Sequence, residues 1–210
     1  MTSRALAARA ALLGMLIAAG AVGASTAPHP ATGHRSTRAA GSSRTSAAAG
    51  TACEQVAGNL IANCAFASGF QGWKPQAATS FEFEKATGNR APGALEMVNE
   101  PASEAGAGTC AAVHGPGTYE LAGYLRRLQG TGECLAFLEE HTSADCSGGA
   151  THFHEMVSTP LVPGAFTRVS GSAPLAADTG SVKAGFACYG EHDDDVSGVL
   201  LDDVVLRKSE

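Results

Sequence analysis

Aromatic side chains are scarce in this chain: one Trp, three Tyr and eight Phe make up 6% of its 210 residues. A binding surface that works by stacking has few rings to draw on, so each exposed ring matters. Charge is also sparse, at 16%, and its two signs are unevenly placed. Five of the 14 basic residues (Arg4, Arg9, Arg35, Arg38 and Arg44) precede residue 51, whereas all 20 acidic residues follow it. Segment 51–210 thus holds 9 basic and 20 acidic groups and carries a net charge of −11. Such a domain is repelled by phosphate backbones and anionic lipid, which argues against nucleic acid as a partner. Neutral sugars, cations or basic surfaces are compatible.

Catalytic signatures are missing too. The sequence has no Gly-x-Ser-x-Gly elbow, no phosphate-cradling glycine loop and no His-Glu-x-x-His pattern. Glu139–Glu140 and Asp202–Asp203 qualify as glycosidase-like carboxylate pairs by identity alone. Neighbours on a strand face apart, so neither pair converges on one substrate. No enzyme is expected. CxxC pairs are absent as well, which disfavours a structural zinc site.

What is present begins with an export pattern at residues 1–24. Arg4 and Arg9 supply a basic start, Ala10 to Ala24 form an uncharged apolar run, and Val22 and Ala24 occupy the small-residue positions ahead of a cleavage site before Ser25. A run of about fifteen residues is short of the roughly 20 that span a bilayer, so membrane insertion of the mature chain is not expected. Residues 25–50, STAPHPATGHRSTRAAGSSRTSAAAG, contain no bulky aliphatic or aromatic side chain. They bury too little apolar surface to offset ordering the backbone at about 1–2 kcal/mol per residue, and read as a disordered linker. The remainder, 51–210, has the length of one domain with a single core. A secreted location, extracellular or periplasmic, follows.

All six cysteines fall in 51–210, and an even count in an exported chain points to disulfides. Six cysteines allow 15 pairings. The preferred set is Cys53–Cys64, Cys134–Cys146 across a hairpin whose turn residues are Ser143, Asp145, Ser147 and Gly148, and Cys110–Cys188 by elimination.

Period-two alternation recurs through the domain while helical periodicity is nearly missing. Phe81 and Phe83 oppose Ser80, Glu82 and Glu84; Tyr119, Leu121 and Leu125 oppose Glu120, Tyr124 and Arg126; Leu135 and Phe137 alternate with Ala136 and Leu138 as a strand apolar on both faces. Further strands are predicted at 94–98, 108–114, 151–158, 166–172, 181–189 and 198–207, separated by Gly-, Pro- and Asn-rich breaks. An all-β jelly-roll sandwich of about ten antiparallel strands accommodates them.

Residues 59–73 read NLIANCAFASGFQGW and residues 198–207 read GVLLDDVVLR. This opening and closing resemble the carbohydrate-binding modules found beside secreted glycanases, which are jelly rolls of the galactose-binding-like superfamily. That family opens Asn-Leu-x-x-Asn-Gly-x-Phe-Glu-x-Gly, followed by Gly-Trp. Asn59, Leu60, Asn63, Phe66, Gly69, Gly72 and Trp73 match it, while Cys64 and Ala67 replace the glycine and the glutamate. GTYELAGYLRRL at 117–128 is similar to the family's central strand. The resemblance implies terminal strands lying side by side, a core role for Trp73 and a polysaccharide or other glycan ligand. It also implies that Asp202 helps hold a structural calcium ion, with the opening glutamate that Ala67 lacks here. The alternative is an Asp202 that accepts hydrogen bonds from turn amides. Asp202 and Asp203, adjacent on a strand, are expected to face opposite ways.

Candidate ligand contacts come from the wet faces. Tyr124 and Arg126 share one, Tyr189 ends a strand, and His152 and His154 project together as a His-x-His pair. That pair is similar to half of a cupin metal motif, but the glutamate expected a few residues later is replaced by Ser158 and Thr159, so a solvated histidine face or a sugar contact is favoured. Asp193, Asp194 and Asp195 read as a solvated acidic loop. The resulting expectation is a secreted, non-catalytic glycan-binding module. A structural or adhesive surface protein that uses the same scaffold for protein contacts is the alternative.

Overall fold

A computed structural model describes residues 52–76, 79–99, 104–130, 132–156, 158–189 and 198–209. The expected export signal and linker, and the Asp193–Asp195 loop, lie outside them. Regular structure among the described residues is a three-residue 3-10 turn, Cys53–Gln55, and eleven strands. In chain order these are β1 Trp73–Gln76, β2 Thr79–Glu84, β3 Ala94–Asn99, β4 Ala105–Ala112, β5 Gly117–Gln129 and β6 Glu133–His141, then β7 His152–Glu155, β8 Thr159–Pro160, β9 Thr167–Leu175, β10 Ser181–Tyr189 and β11 Gly198–Lys208. They form two antiparallel sheets, β1-β4-β10-β6-β7 with β8 also on β6, and β2-β3-β11-β5-β9. This is the expected jelly-roll sandwich. The predicted 151–158 strand is divided into β7 and β8, and β1, a short edge strand containing Pro75, is one that alternation did not signal.

The core lies between the sheets. Val182, Ala184 and Phe186 of β10 and Leu138 of β6 face Leu95 and Met97 of β3, Leu121 and Leu125 of β5, and Val199 and Leu201 of β11. Phe186 fits because Gly123 stands opposite it: a Cβ there would lie 2.6 Å from the ring edge. Leu135, Phe137 and Ala187 form a separate cluster on the other side of the first sheet, as expected of a strand apolar on both faces.

β11 lies between β3 and β5, and its register slips by one residue between Asp202, opposite Tyr124, and Val205, opposite Ala122. Asp203 sits there at φ 50°. A bulge of this kind takes backbone groups out of the ladder. The opening segment supplies partners: Val204 N–H donates to Cys64 O at 2.9 Å, and Asn59 Nδ2 donates to Val204 O at 3.1 Å. Asn59 also donates to Cys53 O and accepts from the amides of Ile61 and Leu206, while Leu60 N–H donates to Leu206 O. The opening motif is therefore not a ladder strand. It is an irregular seam sealed onto β11 largely by one asparagine side chain. Asn63 does similar work in the next turn, donating to Gly69 O and Gln71 O, and Trp73 is core, with Nε1 donating to Asn63 O.

Of the three disulfides, Cys53–Cys64 is as expected, and the other two are Cys110–Cys146 and Cys134–Cys188. The expected Cys134–Cys146 and Cys110–Cys188 pairs are thus corrected. Cys134 is the second residue of β6, and Cys146 follows the strand's far end, roughly 24 Å away at about 3.4 Å per residue. That is well beyond disulfide reach. Cys134 and Cys188 are instead direct cross-strand partners on β6 and β10, both facing the core. Cys110 faces outward on β4, and the loop after β6 brings Cys146 to it, anchored by Cys146 N–H donating to Ser181 Oγ.

Because Asn59 satisfies four backbone groups at the seam, Asn59→Ala is expected to lower unfolding free energy by about 2–4 kcal/mol, read from urea denaturation of the oxidised protein. An unchanged midpoint would show that the seam contributes little.

Candidate functional site

The register assembles the outer face of the first sheet row by row. Glu155, Phe137, Gly185, Gly108 and Lys74 form one row across β7, β6, β10, β4 and β1; Phe153, Glu139, Lys183 and Cys110 form the next; Leu135, Ala187, Gly106 and Gln76 lie on the other side. Gly108 and Gly185 occupy the middle of this face, and the Phe137 ring and the Lys183 stem lie over them as the floor of a shallow trough. At Gly185 the gap is filled by the Phe137 ring, since a Cβ there would come within 2.3 Å of it. Phe153 stacks on Phe137, with centroids 5.8 Å apart and planes inclined by 22°, and its outer surface is 55% exposed. Lys183 lies 6.0 Å from the Phe137 centroid and pairs with Glu139 at 3.3 Å.

Tyr189 ends β10 beside Glu133, and its ring is 40% exposed. Burial, the hydrogen bond to Glu104 and the charges of Glu104 and Glu155 all raise the Tyr189 phenol above its usual range, so it stays a neutral hydroxyl. A depression lined by Glu133, Leu135, Glu155, Met156, Ser158 and Tyr189 adjoins it. Phe153 and Tyr189 pair with Glu139 and Glu133, six residues apart on β6, so the two rings are roughly 20 Å apart along the strand. Two exposed rings and flanking carboxylates and lysines suit a ligand with apolar faces and a hydroxyl rim.

The second sheet bears a different cleft of about 170 Å³, lined by Arg90, Glu120, Tyr124, Arg168, Asp203 and Arg207 above a floor that includes Val56, Ala122 and Val205. Glu120 accepts from Arg168 Nη2 at 2.6 Å and from Arg207 Nη2 at 2.9 Å. The Arg207 hydrogen bond, aided by Arg168 and against the pull of burial, holds the Glu120 carboxyl below its usual range. Arg90 lies 5.4 Å from the Tyr124 ring centroid and pairs with Asp203 at 3.4 Å.

The five residues expected to contact a ligand therefore separate. Tyr124 and Arg126 share the outer face of the second sheet, although Arg126 lies beyond the cleft and its buried Nε has no hydrogen-bond partner among the described residues. Tyr189 is on the first sheet. His152 and His154 share one side of β7, as their spacing predicts, but that side faces the buried Glu140. His154 Nε2 lies 2.6 Å from Glu140 Oε1, and Glu140 Oε2 accepts from Ala176 N–H at 2.9 Å and from the Thr179 hydroxyl. Burial works to raise the Glu140 carboxyl, yet these hydrogen bonds outweigh it and hold it low. This group ties edge strand β7 to the β9–β10 loop. Phe153, the residue between the histidines, points the other way into the trough; alternation around the His-x-His pair was the signal for it.

Asp202 and Asp203 do not face opposite ways. The bulge breaks alternation, and both reach the loop at Asn89: its amide donates to Asp202 Oδ2 at 2.6 Å and its side chain to Asp203 Oδ2 at 2.8 Å. Asp202 Oδ1 accepts from the Asp203 amide at 2.7 Å. An N–H thus occupies each Asp202 oxygen, and Ala67 brings no carboxylate. Two carboxylates are present there, so the six to eight oxygens calcium takes would have to be completed by backbone carbonyls and water. The only group of three clustered metal-type side chains among the described residues is Cys53, Glu54 and Cys64, and its two cysteines are disulfide-bonded.

No family model matches the chain, and no curated protein matches it in sequence. Solved structures do match in fold. The CBM22-2 xylan-binding domain of Paenibacillus barcinonensis Xyn10C superposes with a TM-score of 0.53 at 15% identity, covering 70% of this chain and 98% of that one. The CBM22-1–GH10 modules of Clostridium thermocellum xylanase 10B, complexed with xylohexaose, give 0.55 at 16% identity, covering 72% of this chain and 29% of that one. The enzymatically active domain of bacteriophage CBA120 tailspike protein 4 gives 0.53 at 10% identity over 72% of this chain and 21% of that one. These likenesses are in fold alone: a β-sandwich jelly roll.

Burial, with the charge of Asp203 added, pushes Asp202 up to about 7 from 3.8, against the lowering hydrogen bond from the Asn89 amide. A carboxyl raised on folding contributes stability that is full below about pH 4 and is lost as pH rises through about 7. Stability is therefore expected to fall by on the order of 3–4 kcal/mol across that interval through this group, and Asp202→Asn is expected to flatten the decline in denaturant midpoints. Excess Ca²⁺ or EDTA is expected to leave the melting temperature unchanged; a clear rise with Ca²⁺ would restore Asp202 as a ligand.

Proposed function

We propose that this chain is an exported, non-catalytic carbohydrate-binding module that takes a polysaccharide across the outer face of its first sheet. The observation that carries this reading is the face itself: the exposed Phe153 ring backed by Phe137, which lies flat over Gly185, and the exposed Tyr189 about 20 Å further along. Phe153 and Tyr189 supply stacking surfaces to a sugar's C–H face, and Glu139, Glu155, Lys74 and Lys183 exchange hydrogen bonds with hydroxyls. The glycines let Phe137 and Lys183 lie flat on the sheet, which keeps the face low. Tyr189 is thus the expected contact that this reading retains.

Support comes from three directions. A neutral glycan suits a domain of net charge −11. Among the structures of similar fold, one is a xylan-binding domain and another a xylanase fragment complexed with xylohexaose. Three disulfides and the export pattern suit an extracellular setting. β-1,4-linked xylan is accordingly the first polysaccharide to try.

In affinity electrophoresis with soluble xylan and other neutral polysaccharides, the native protein is expected to be retarded by at least one. Phe153→Ala and Tyr189→Ala should each weaken that retardation about three- to tenfold, with the melting temperature little changed. Native protein that no polysaccharide retards would overturn the reading and leave the protein-contact alternative in its place.

A further inference from the structure

The trough leaves the cleft on the opposite sheet unexplained. Its composition is unusual for this domain. Segment 51–210 contains five arginines, and three of them, Arg90, Arg168 and Arg207, line this one depression. Concentrating positive charge on an acidic protein is electrostatically favourable with acidic neighbours, and Glu120 and Asp203 partly supply them. Yet three guanidiniums face two carboxylates, so the lining keeps an excess of one positive charge. Each guanidinium has five N–H donors. Glu120 occupies two of Arg207's and one of Arg168's, and Ser170 Oγ takes another of Arg168's.

The arrangement is also held in place before any ligand arrives. Glu120 straps Arg168 and Arg207 to a single carboxylate from neighbouring strands β9 and β11, and the Tyr124 ring supports Arg90. Planar forked guanidiniums fixed in this way suit a carboxylate better than lysines do. Below them the floor is apolar, made by Val56, Ala122 and Val205, so a ligand with a C–H face can settle on it. Glu120 and Asp203 remain as acceptors for hydroxyl groups. At about 170 Å³ the cleft is smaller than the roughly 300–1,000 Å³ typical of drug-sized ligands, which suits one sugar ring rather than a chain.

We propose that this cleft is a second, separate sugar site that selects a carboxylated monosaccharide unit, a hexuronate, by pairing its carboxylate with the Arg168, Arg207 and Arg90 guanidiniums. It works independently of the trough. A uronate's ring rests on Ala122 and Val205, its carboxylate meets the arginines, and its hydroxyls donate to Glu120 and Asp203.

The experiment is an amide-resolved NMR titration of the full chain with sodium glucuronate, glucose and sulfate at low salt. Glucuronate is expected to shift the amides of Glu120, Ala122, Tyr124 and Val205, and glucose to leave them in place. Raising NaCl from about 0.02 to about 0.5 M should weaken the binding severalfold. Arg168→Gln and Arg207→Gln, both at nearly half-exposed side chains, should each lower affinity about tenfold while near-ultraviolet circular dichroism stays native. Phe153→Ala should leave glucuronate binding unchanged, which separates this site from the trough. Silence on adding glucuronate, equal shifts with glucose, sulfate binding as tightly as glucuronate, or full affinity in folded Arg168→Gln and Arg207→Gln would each overturn the proposal.

Discussion

The bulge at Asp203 is the constraint on which the rest of the molecule depends. By inserting one residue into the central strand of the second sheet, it turns Val204 out of the ladder and so creates a docking edge for the opening segment. Asn59 occupies that edge with both ends of its amide. The same inserted residue swings Asp203 beside Asp202, so that two carboxylates grip one loop instead of pointing apart. One irregularity therefore closes the N-terminal seam and fixes the loop that carries Arg90 to the cleft.

The two sheets solve different problems with their outer faces. On the first, glycines in β4 and β10 let the Phe137 ring and the Lys183 side chain lie flat over the middle of the sheet. Its rings are held by packing: Phe137 is buried between Gly185 and Phe153, so the exposed ring rests on a rigid one. On the second, long charged side chains rise from β5, β9 and β11 and close around Tyr124, with their geometry set by shared ion pairs. Stacking dominates one face and charge the other. A domain that is acidic overall therefore presents one locally basic depression.

The disulfides brace this arrangement at three levels. Cys53–Cys64 holds the opening seam, Cys134–Cys188 joins two central strands from within the core, and Cys110–Cys146 ties a loop to the outer face of β4. His154, Glu140 and Thr179 do a comparable job without covalent bonds at the edge of the first sheet. In that setting His154 packs against Glu140 with about a quarter of its side chain exposed, while His152 is largely exposed.

Strand content and the all-β class were legible in the sequence, because alternation at period two is a local property; the adjacency of the opening and closing motifs was implied only by their resemblance to carbohydrate-binding modules. The facing of Tyr119, Leu121 and Leu125 against Glu120, Tyr124 and Arg126 followed from the same periodicity and holds. Pairing between distant strands was not legible. Which cysteine lies opposite Cys134 depends on the β6–β10 register, and which ring stacks on Phe137 depends on β7 lying beside β6, both fixed only when the sheets assemble. The direction of Asp203 was hidden for a related reason: a single inserted residue inverts alternation, and only the partner strand reveals the insertion. The sequence by itself determined which residues alternate and hence what kind of sheet they make; the tertiary structure alone decided which of those faces meet, because register is set by contacts between segments tens of residues apart.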